Sequence, residues 1–425
     1  MSDSKITRVW AREVLDSRGN PTVEAEVSTS IVTVTAIAPS GASTGSHEAM
    51  ELRDGGARYG GKGVLKAVDS IRKMIAPAII GMDVTDLRAI DLAMIALDGT
   101  ENKSRLGGNA TTGVSFACAK AGAIVKGVPL HEHLGKGSHI LPVPSMNVIN
   151  GGKHAGGNLR PQEFMISPCG ARTFAESLRY GAEVDQSLKT VLKASDGVGS
   201  INVGDEGGFA PPMNTVREAL DTLVKAIEKA GYVPGKDVYL AMDPAASEFF
   251  EDGEYVIDGR RLDPDQMVGF YEDLLNDYPI ISLEDPFDEE AFDTFANLTK
   301  DVGKKLQIVG DDIFVTNVKM LRKAVPMGAG NALLLKVNQV GTITEALEAS
   351  DFAFENKYNV MVSHRSGESE DTTIADIAVA IGCGQIKTGA PCRAERTCKY
   401  NRLIRIEEAL GSKAKFAGVQ AFKSH

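Results

Sequence analysis

Six short apolar runs in the second half of the chain each end on a polar or charged residue. VYLAMD ends on Asp243, IISLED carries Glu284, LQIVGDD carries Asp311, ALLLKVN carries Lys336, NVMVSHRS carries His364 and GQIKTG carries Lys387. They recur at intervals of roughly 25 to 40 residues, and a barrel of eight strand–helix units advances ~30 residues per unit. Amphipathic stretches such as TVREALDTLVKAIEKAG lie between the runs, which predicts parallel strands separated by helices. The chemistry of such a barrel sits at the C-terminal ends of its strands. One rim is therefore expected to carry three carboxylates, two lysines, a histidine and the neighbouring Arg365.

A barrel does not account for all 425 residues, 43% of them hydrophobic, and a chain of this size has room for two domains. The early runs TVEAEVSTS and IVTVTAIAP are rich in β-branched residues and separated by little more than a turn, which suits an antiparallel meander. From about Gly63 to Lys126 the pattern turns helical, with Ala-rich stretches such as VSFACAKAGAIVK. The expectation is an α/β protein with an N-terminal α+β domain over residues 1–136 and a C-terminal barrel over 137–425, joined by the Gly/Pro/Ser-rich HLGKGSHILPVPS.

A formal charge of −11 with no long Lys/Arg block argues against nucleic acid as a partner, because a phosphate backbone is repelled on average. The N-terminus lacks the apolar core of an export signal, and no run is long enough to span a bilayer. The expectation is a soluble, unexported, cytoplasmic protein without membrane insertion. Five cysteines with no C-x-x-C pair read as reduced thiols rather than a disulfide framework or a zinc site.

Asp243, Glu284 and Asp311 each follow a run that should be buried, and three converging carboxylates are costly unless a cation neutralises them. All-oxygen ligands that leave room for water and substrate suit Mg²⁺ better than Ca²⁺. One such aspartate alone would read as a helix cap; three in successive units, followed by a lysine in the same position, do not. Lys336 lies inside LLLKVN, where burial and nearby positive charge would depress its pKa and make it a base. The rival reading is a structural lysine paired with Asp311. Metal and lysine together suit removal of a proton next to a carboxylate, where the charge that develops needs a cation.

Two glycine-rich segments, APSGASTGSHEA (38–49) and NGGKHAGGNLRPQEF (150–164), could close over the rim and bring Ser40, His154, Gln162 and Glu163. VGDEGGFAPP sets Glu206 among glycines; enclosed, it would have a raised pKa and could donate a proton, while in a solvated turn it would do neither.

PSGASTG, NVINGGKHAG, QEFMI, VGDEGG, LEDPF, VGDD, LLLKVNQ, SHRSGE and IKTGAP occur here in the order found in the enolase family, and the likeness runs from DSRGNPTVE to RIEEAL. The resemblance implies a TIM barrel with one or more antiparallel strands, and reversible dehydration of 2-phosphoglycerate to phosphoenolpyruvate with two Mg²⁺ per site. By the same resemblance Lys336 takes the α-proton, and Glu206 protonates the departing hydroxyl with help from Glu163. Asp243, Glu284 and Asp311 hold one metal, and Ser40 helps to ligate a second. Arg365 and Ser366 hold the phosphate, Lys387 faces the substrate carboxylate, and His154, Gln162 and His364 line the pocket. A lysine or histidine base beside Mg²⁺ is the recognised pattern of the enolase superfamily.

Two departures from the family pattern concern packing. Asp185-Gln186 stands where many relatives carry Phe-His, and PFDEEAFDTF lacks a common tryptophan. The resemblance further implies a homodimer in which Arg18 and Glu24 face Arg405 and Glu408 of the partner, and leaves open an octamer of four dimers. Some relatives are also found at the cell surface and bind plasminogen through a C-terminal lysine; this chain ends in His425. Two other readings compete: a barrel enzyme abstracting a different α-proton, such as a racemase or sugar-acid dehydratase, and a catalytically silent protein keeping the fold. The first lacks a reason for Arg365, Ser366 and the two glycine-rich segments, and the second predicts losses among Lys336, Glu206 and Lys387, all of which are present.

Overall fold

The computed structural model describes residues 3–42 and 45–423, so Ser43 and Thr44 of the first glycine-rich segment, and the terminal His425, lie outside the described residues. Strands β1 (Arg8–Leu15), β2 (Pro21–Ser28) and β3 (Thr33–Ile37) form an antiparallel meander. On it packs a helical layer containing α1 (Leu87–Asp98) and α2 (Gly108–Lys126). β1 adds a third strand to the two runs read from the sequence. α2 is buried along most of its length because Ala, Gly, Ser and Thr let it lie close against β2 and β3.

The remainder closes into an eight-stranded barrel: β4 (Val143–Asn150), β5 (Glu163–Ser167), β6 (Tyr239–Asp243), β7 (Ile280–Glu284), β8 (Gln307–Gly310), β9 (Ala332–Leu335), β10 (Asn359–Ser363) and β11 (Gln385–Lys387). All pairings are parallel except the two made by β5, which runs antiparallel to both β4 and β6. The sequence expectation of an α/β barrel with an antiparallel strand therefore holds. Part of the Gly/Pro/Ser-rich connector is itself structured: Ile140–Leu141 pairs with Lys415–Phe416, and residues 143–145 already belong to β4.

The outer helices follow from amphipathic spacing. In α3 (Val216–Lys229), Val216, Ala219, Leu220, Leu223, Ala226 and Ile227 are buried at three- and four-residue steps, and Thr215 and Glu218 form a reciprocal capping box at its start. Inside the barrel Val143, Ile281, Val309, Leu334 and Met361 form an apolar cluster. At the starts of β8, β10 and β11, the end of the barrel away from the rim, lies a hydrogen-bonded amide group. Gln307 and Gln385 exchange bonds of 2.7 and 2.8 Å, and Asn359 donates to Gln307 at 2.9 Å, so these buried polar groups are satisfied. The five cysteines are free thiols, and among the described residues no helix is long and apolar enough to cross a membrane.

Polar ties hold the meander-and-helix unit against the barrel. Asp91 of α1, fully buried, accepts from Ser115 Oγ (3.1 Å) and from the backbone N–H and hydroxyl of Thr344 (3.0 and 2.7 Å). It thus caps, from the other unit, the start of helix α4 (Ile343–Glu355), whose dipole favours a carboxylate there. α4 begins a few residues after Lys336, so the tie also anchors that part of the rim. Burial, helped by the charge of Glu345, lifts the Asp91 carboxyl to about 6 despite these donors. Asp91→Ala is expected to lower the unfolding free energy by about 1–3 kcal/mol, read by urea denaturation, with the far-ultraviolet spectrum of the folded protein unchanged.

Candidate active site

Each apolar run read from the sequence ends at one rim. Asp243, Glu284 and Lys387 are the last residues of their strands, while Asp311, Lys336 and His364 come one residue later. Glu163 reaches the same rim differently. It is the first residue of β5, but β5 is reversed, so its register partners are Asn150 and Asp243 at the ends of β4 and β6.

Lys387 sits at the centre. Its Nζ lies 3.0 Å from Asp243 Oδ2, 2.8 Å from Glu284 Oε1 and 3.1 Å from Glu163 Oε2. Desolvation works against its charge, but the carboxylates outweigh that and carry its pKa well above the ordinary lysine value. Glu284 is pushed well above the carboxylate range by burial and by Asp243. Next to this group Lys336 pairs with Asp311 Oδ2, and Asp311 Oδ1 accepts from Gln339 at 2.7 Å.

Here the expectation for Lys336 is corrected. Burial lowers its pKa, as do Arg365 and Lys387, but contact with Asp311 and the charge of Glu284 win, and without metal it is held as an ammonium. The rival reading, a lysine paired with Asp311, describes this state.

Beside Lys387 stand two glutamates and two histidines. His154, Glu163 and Glu206 bring ligand atoms within 4.8 Å of one another. Glu206 accepts from Asn147 Nδ2 at 3.0 Å, faces His364 Nε2 at 3.2 Å, and lies 3.8 Å from His154 Nε2. Burial alone would raise its pKa, but His364 and His154 carry it well below the carboxylate range, so the expected upward shift falls on Glu163 instead, which burial and Glu206 drive up. The two carboxyls are pushed in opposite directions, Glu206 toward the ionised form and Glu163 toward the protonated one, which is the arrangement that separates acid from base roles. Burial holds both histidines below their usual pKa, His364 at about 4.

His154, Gln162, Glu163, Glu206, Lys336, His364, Arg365, Ser366 and Lys387 all line one narrow cavity. Ser40 is placed apart from the carboxylates: its hydroxyl donates to Asp16 Oδ2 at 2.8 Å and accepts from Arg18, and its backbone forms a bridge with Gly367. Arg18, half-buried, bonds Ser40, Gly41 and Ser366 of its own chain. The Asp16–Asn20 turn that carries it folds inward against residues 366–368.

Three carboxylates were missed by sequence reasoning. Glu48, within the first glycine-rich segment, receives Arg365 Nη1 and Nη2 at 2.8 and 3.1 Å. Asp285, at a left-handed φ of 39°, accepts from the backbone N–H groups of Asp311 and Asp312 at 2.8 and 2.7 Å, and so fixes the turn that presents Asp311. Asp285, Asp311 and Asp312 form the second close acidic group, within 4.8 Å. The doubled acids of LEDPF and VGDD were the available signal.

The donor set fits a hard divalent cation. Oxygens of Asp243 and Glu284 converge on a positive charge, that of Lys387, and buried Gln162 Oε1 has no hydrogen-bond partner among the described residues. Asp243, Glu284 and Asp311 are not themselves one of the two tight groups; Lys387 stands between the first two and Lys336 bonds the third. Adding Mg²⁺ is expected to raise the melting temperature of metal-free protein, by about 2.7 kcal/mol of stabilisation at a hundredfold excess over Kd. Asp243→Asn should remove most of that shift in a thermal-shift titration.

Comparison with known proteins follows the same division. Residues 6–134 match the family described as Enolase, N-terminal domain, and residues 138–425 match Enolase, C-terminal TIM barrel domain. The chain is 58% identical over 417 residues to a Thermococcus kodakarensis protein named Enolase, covering 97% of each. Proteins of the same name from Pyrococcus furiosus (57% over 417 residues) and Methanocaldococcus jannaschii (57% over 416 residues) are covered to the same 97%.

Proposed function

This chain belongs to the enolase family, and from that premise we propose how its residues divide the reversible dehydration of 2-phosphoglycerate to phosphoenolpyruvate. The protein is a Mg²⁺-dependent hydro-lyase of glycolysis and gluconeogenesis. The observation that carries the division of labour is that one cavity is lined by Lys336 and by a glutamate pair whose proton affinities are pushed apart.

Lys336 is the base that removes the α-proton. Arg365 and Lys387 already oppose its protonation, and Asp311 is the contact that must slacken for it to become neutral. Glu206 and Glu163 share the proton delivered to the leaving hydroxyl. Their carboxyls are close enough to titrate as a pair, so the proton belongs to the dyad rather than to either acid. Arg365 and Ser366 receive the phosphate, which would compete with Glu48 for the guanidinium. Lys387 meets the substrate carboxylate, and His154, Gln162 and His364 complete the wall.

Asp243, Glu284 and Asp311 would hold the first Mg²⁺, and Ser40 would join a second after exchanging its bond to Asp16. Bound Mg²⁺ supplies the positive charge that a carboxylate needs as its α-proton leaves.

The α+β unit of 1–136 contributes the segment 38–49 to the site, and the barrel of 137–425 contributes the rest. Arg18 and Glu24, both half-buried, would face the exposed Arg405 and Glu408 of a second copy of the chain. A cytoplasmic homodimer is the assembly this reading supports.

Formation of enolpyruvate absorbance from 2-phosphoglycerate is expected with Mg²⁺ and not after EDTA; activity that survives chelation would refute the reading. Lys336→Ala should abolish exchange of the substrate's α-hydrogen with solvent. Glu206→Gln should keep that exchange while losing about 10²–10⁴-fold in dehydration, and equal loss of both would mean that the two roles are not separate.

A further inference from the structure

Arg396 is fully buried, yet among the described residues no carboxylate takes its guanidinium in a close pair; Glu395 Oε1 lies 3.6 Å from Nε. The guanidinium is directed at two loops of the site. Nη1 donates to His364 Nδ1 at 2.7 Å and to the carbonyl of Arg365 at 2.6 Å; Nη2 donates to the carbonyls of Ser366 at 2.6 Å and Asp205 at 3.1 Å.

A buried cation held mainly by carbonyl dipoles is expensive. Its place adds to the cost, because it lies in the first turn of helix α5 (Ala394–Leu410), where the dipole disfavours positive charge. Room is made for it as well: a Cβ on Gly389, whose φ is +79°, would stand 2.8 Å from Arg396 Cδ. Stability of α5 does not account for this residue.

The chemistry of the contact with His364 does. A guanidinium has donors only, so Nδ1 must be the acceptor and cannot carry a proton. The ring is then neutral, in keeping with its low pKa of about 4, and its one proton is on Nε2. Nε2 faces Glu206 Oε2 at 3.2 Å, although without an aligned hydrogen bond in this state. The other tautomer would turn a lone pair toward the Glu206 carboxylate and repel it. Meanwhile the bonds to Asp205 on one side and to Arg365 and Ser366 on the other fix the spacing between the loop bearing Glu206 and the loop facing the phosphate.

We infer that Arg396 is a positioning residue for hydroxyl loss: it locks His364 as the Nε2-protonated tautomer facing Glu206 and ties the Glu206 loop to the Arg365–Ser366 loop. The inference rests on the assignment of Glu206 to the hydroxyl and of Lys336 to the α-proton.

The test has two readouts on Arg396→Met and Arg396→Lys. The first is the ¹⁵N spectrum of histidine-labelled protein without substrate, with the His364 signals assigned by their loss in His364→Gln. The wild type should show an acceptor-type Nδ1 and a protonated Nε2, and Arg396→Met should lose that single-tautomer signature. The second is kinetic: dehydration should fall about 10²-fold, the loss that follows from misplacing a reacting group by an ångström, while α-hydrogen exchange stays within a few-fold of wild type. Arg396→Lys keeps charge and stem but cannot span both loops, so it should show the same split more weakly, and it decides the matter if the methionine variant does not fold.

An unchanged His364 signature in the variant that folds overturns the lock, and exchange falling in step with dehydration overturns the specific link to hydroxyl loss. If Glu206→Gln itself lowers exchange and dehydration equally, the role assignment has failed, and the nitrogen spectrum still tests the lock separately.

Discussion

Withdrawal of the carboxyl groups of Glu163, Asp243, Glu284 and Asp311 from water at one end of a barrel is the constraint that orders the rest of this molecule. Each is nearly or wholly buried, and several kcal/mol of desolvation per ion would accumulate without compensation. The chain compensates with ammonium groups, Lys387 set among three of the carboxylates and Lys336 against the fourth. Each acid of the rim thus has an ammonium contact, although four acids against two amines leave it acidic, and the same two lysines are the counter-ions that let the site fold. A cation entering this network would replace an existing partner rather than fill a void.

The reversed strand β5 is what gives the rim its second function. In a wholly parallel barrel the first residue of a strand lies at the face opposite the active rim. Reversal brings Glu163 level with Asp243, close enough to Glu206 for the two acids to compete for one proton. Lys387 is the common neighbour of the two groups of acids, since it touches Glu163 as well as Asp243 and Glu284.

Much of this was legible in the sequence, and for a definite reason. A buried strand that ends on a charge leaves a one-dimensional signature, so Asp243, Glu284, Asp311, Lys336, His364 and Lys387 could be placed from spacing alone. Glu163, Glu206, His154 and Gln162 could not, because they enter from a reversed strand and from loops, and only their motifs marked them. The direction of the proton affinities was misread at Lys336 and Glu206. Burial was the visible influence in each case, and the one that prevails comes from a partner distant in sequence, Asp311 for the lysine and His364 for the glutamate. The intrachain contacts of Arg18 were hidden for the same kind of reason: nothing local reveals that the Asp16–Asn20 turn folds back on residues 366–368. The pairing of Glu48 with Arg365 was invisible too, although both motifs were noted, since it joins the two structural units.

The segment 364–369 shows how the two units become one site. From the barrel side Arg396 and Lys399 grip it through the carbonyls of Arg365, Ser366 and Ser369 and the carboxylate of Glu368. From the other side Ser17, Arg18 and the Ser40–Gly367 bridge hold the same few residues. A loop bonded along both edges has little freedom to adjust when an anion arrives, so Arg365 can answer a phosphate by exchanging partners more readily than by moving its backbone. Its carboxylate partner is Glu48, which belongs to the first glycine-rich segment in sequence but to the rim in space. An anion at Arg365 would compete with that carboxylate for the guanidinium, while Ser40, at the start of the same segment, stays held by Asp16, Arg18 and the bridge to Gly367.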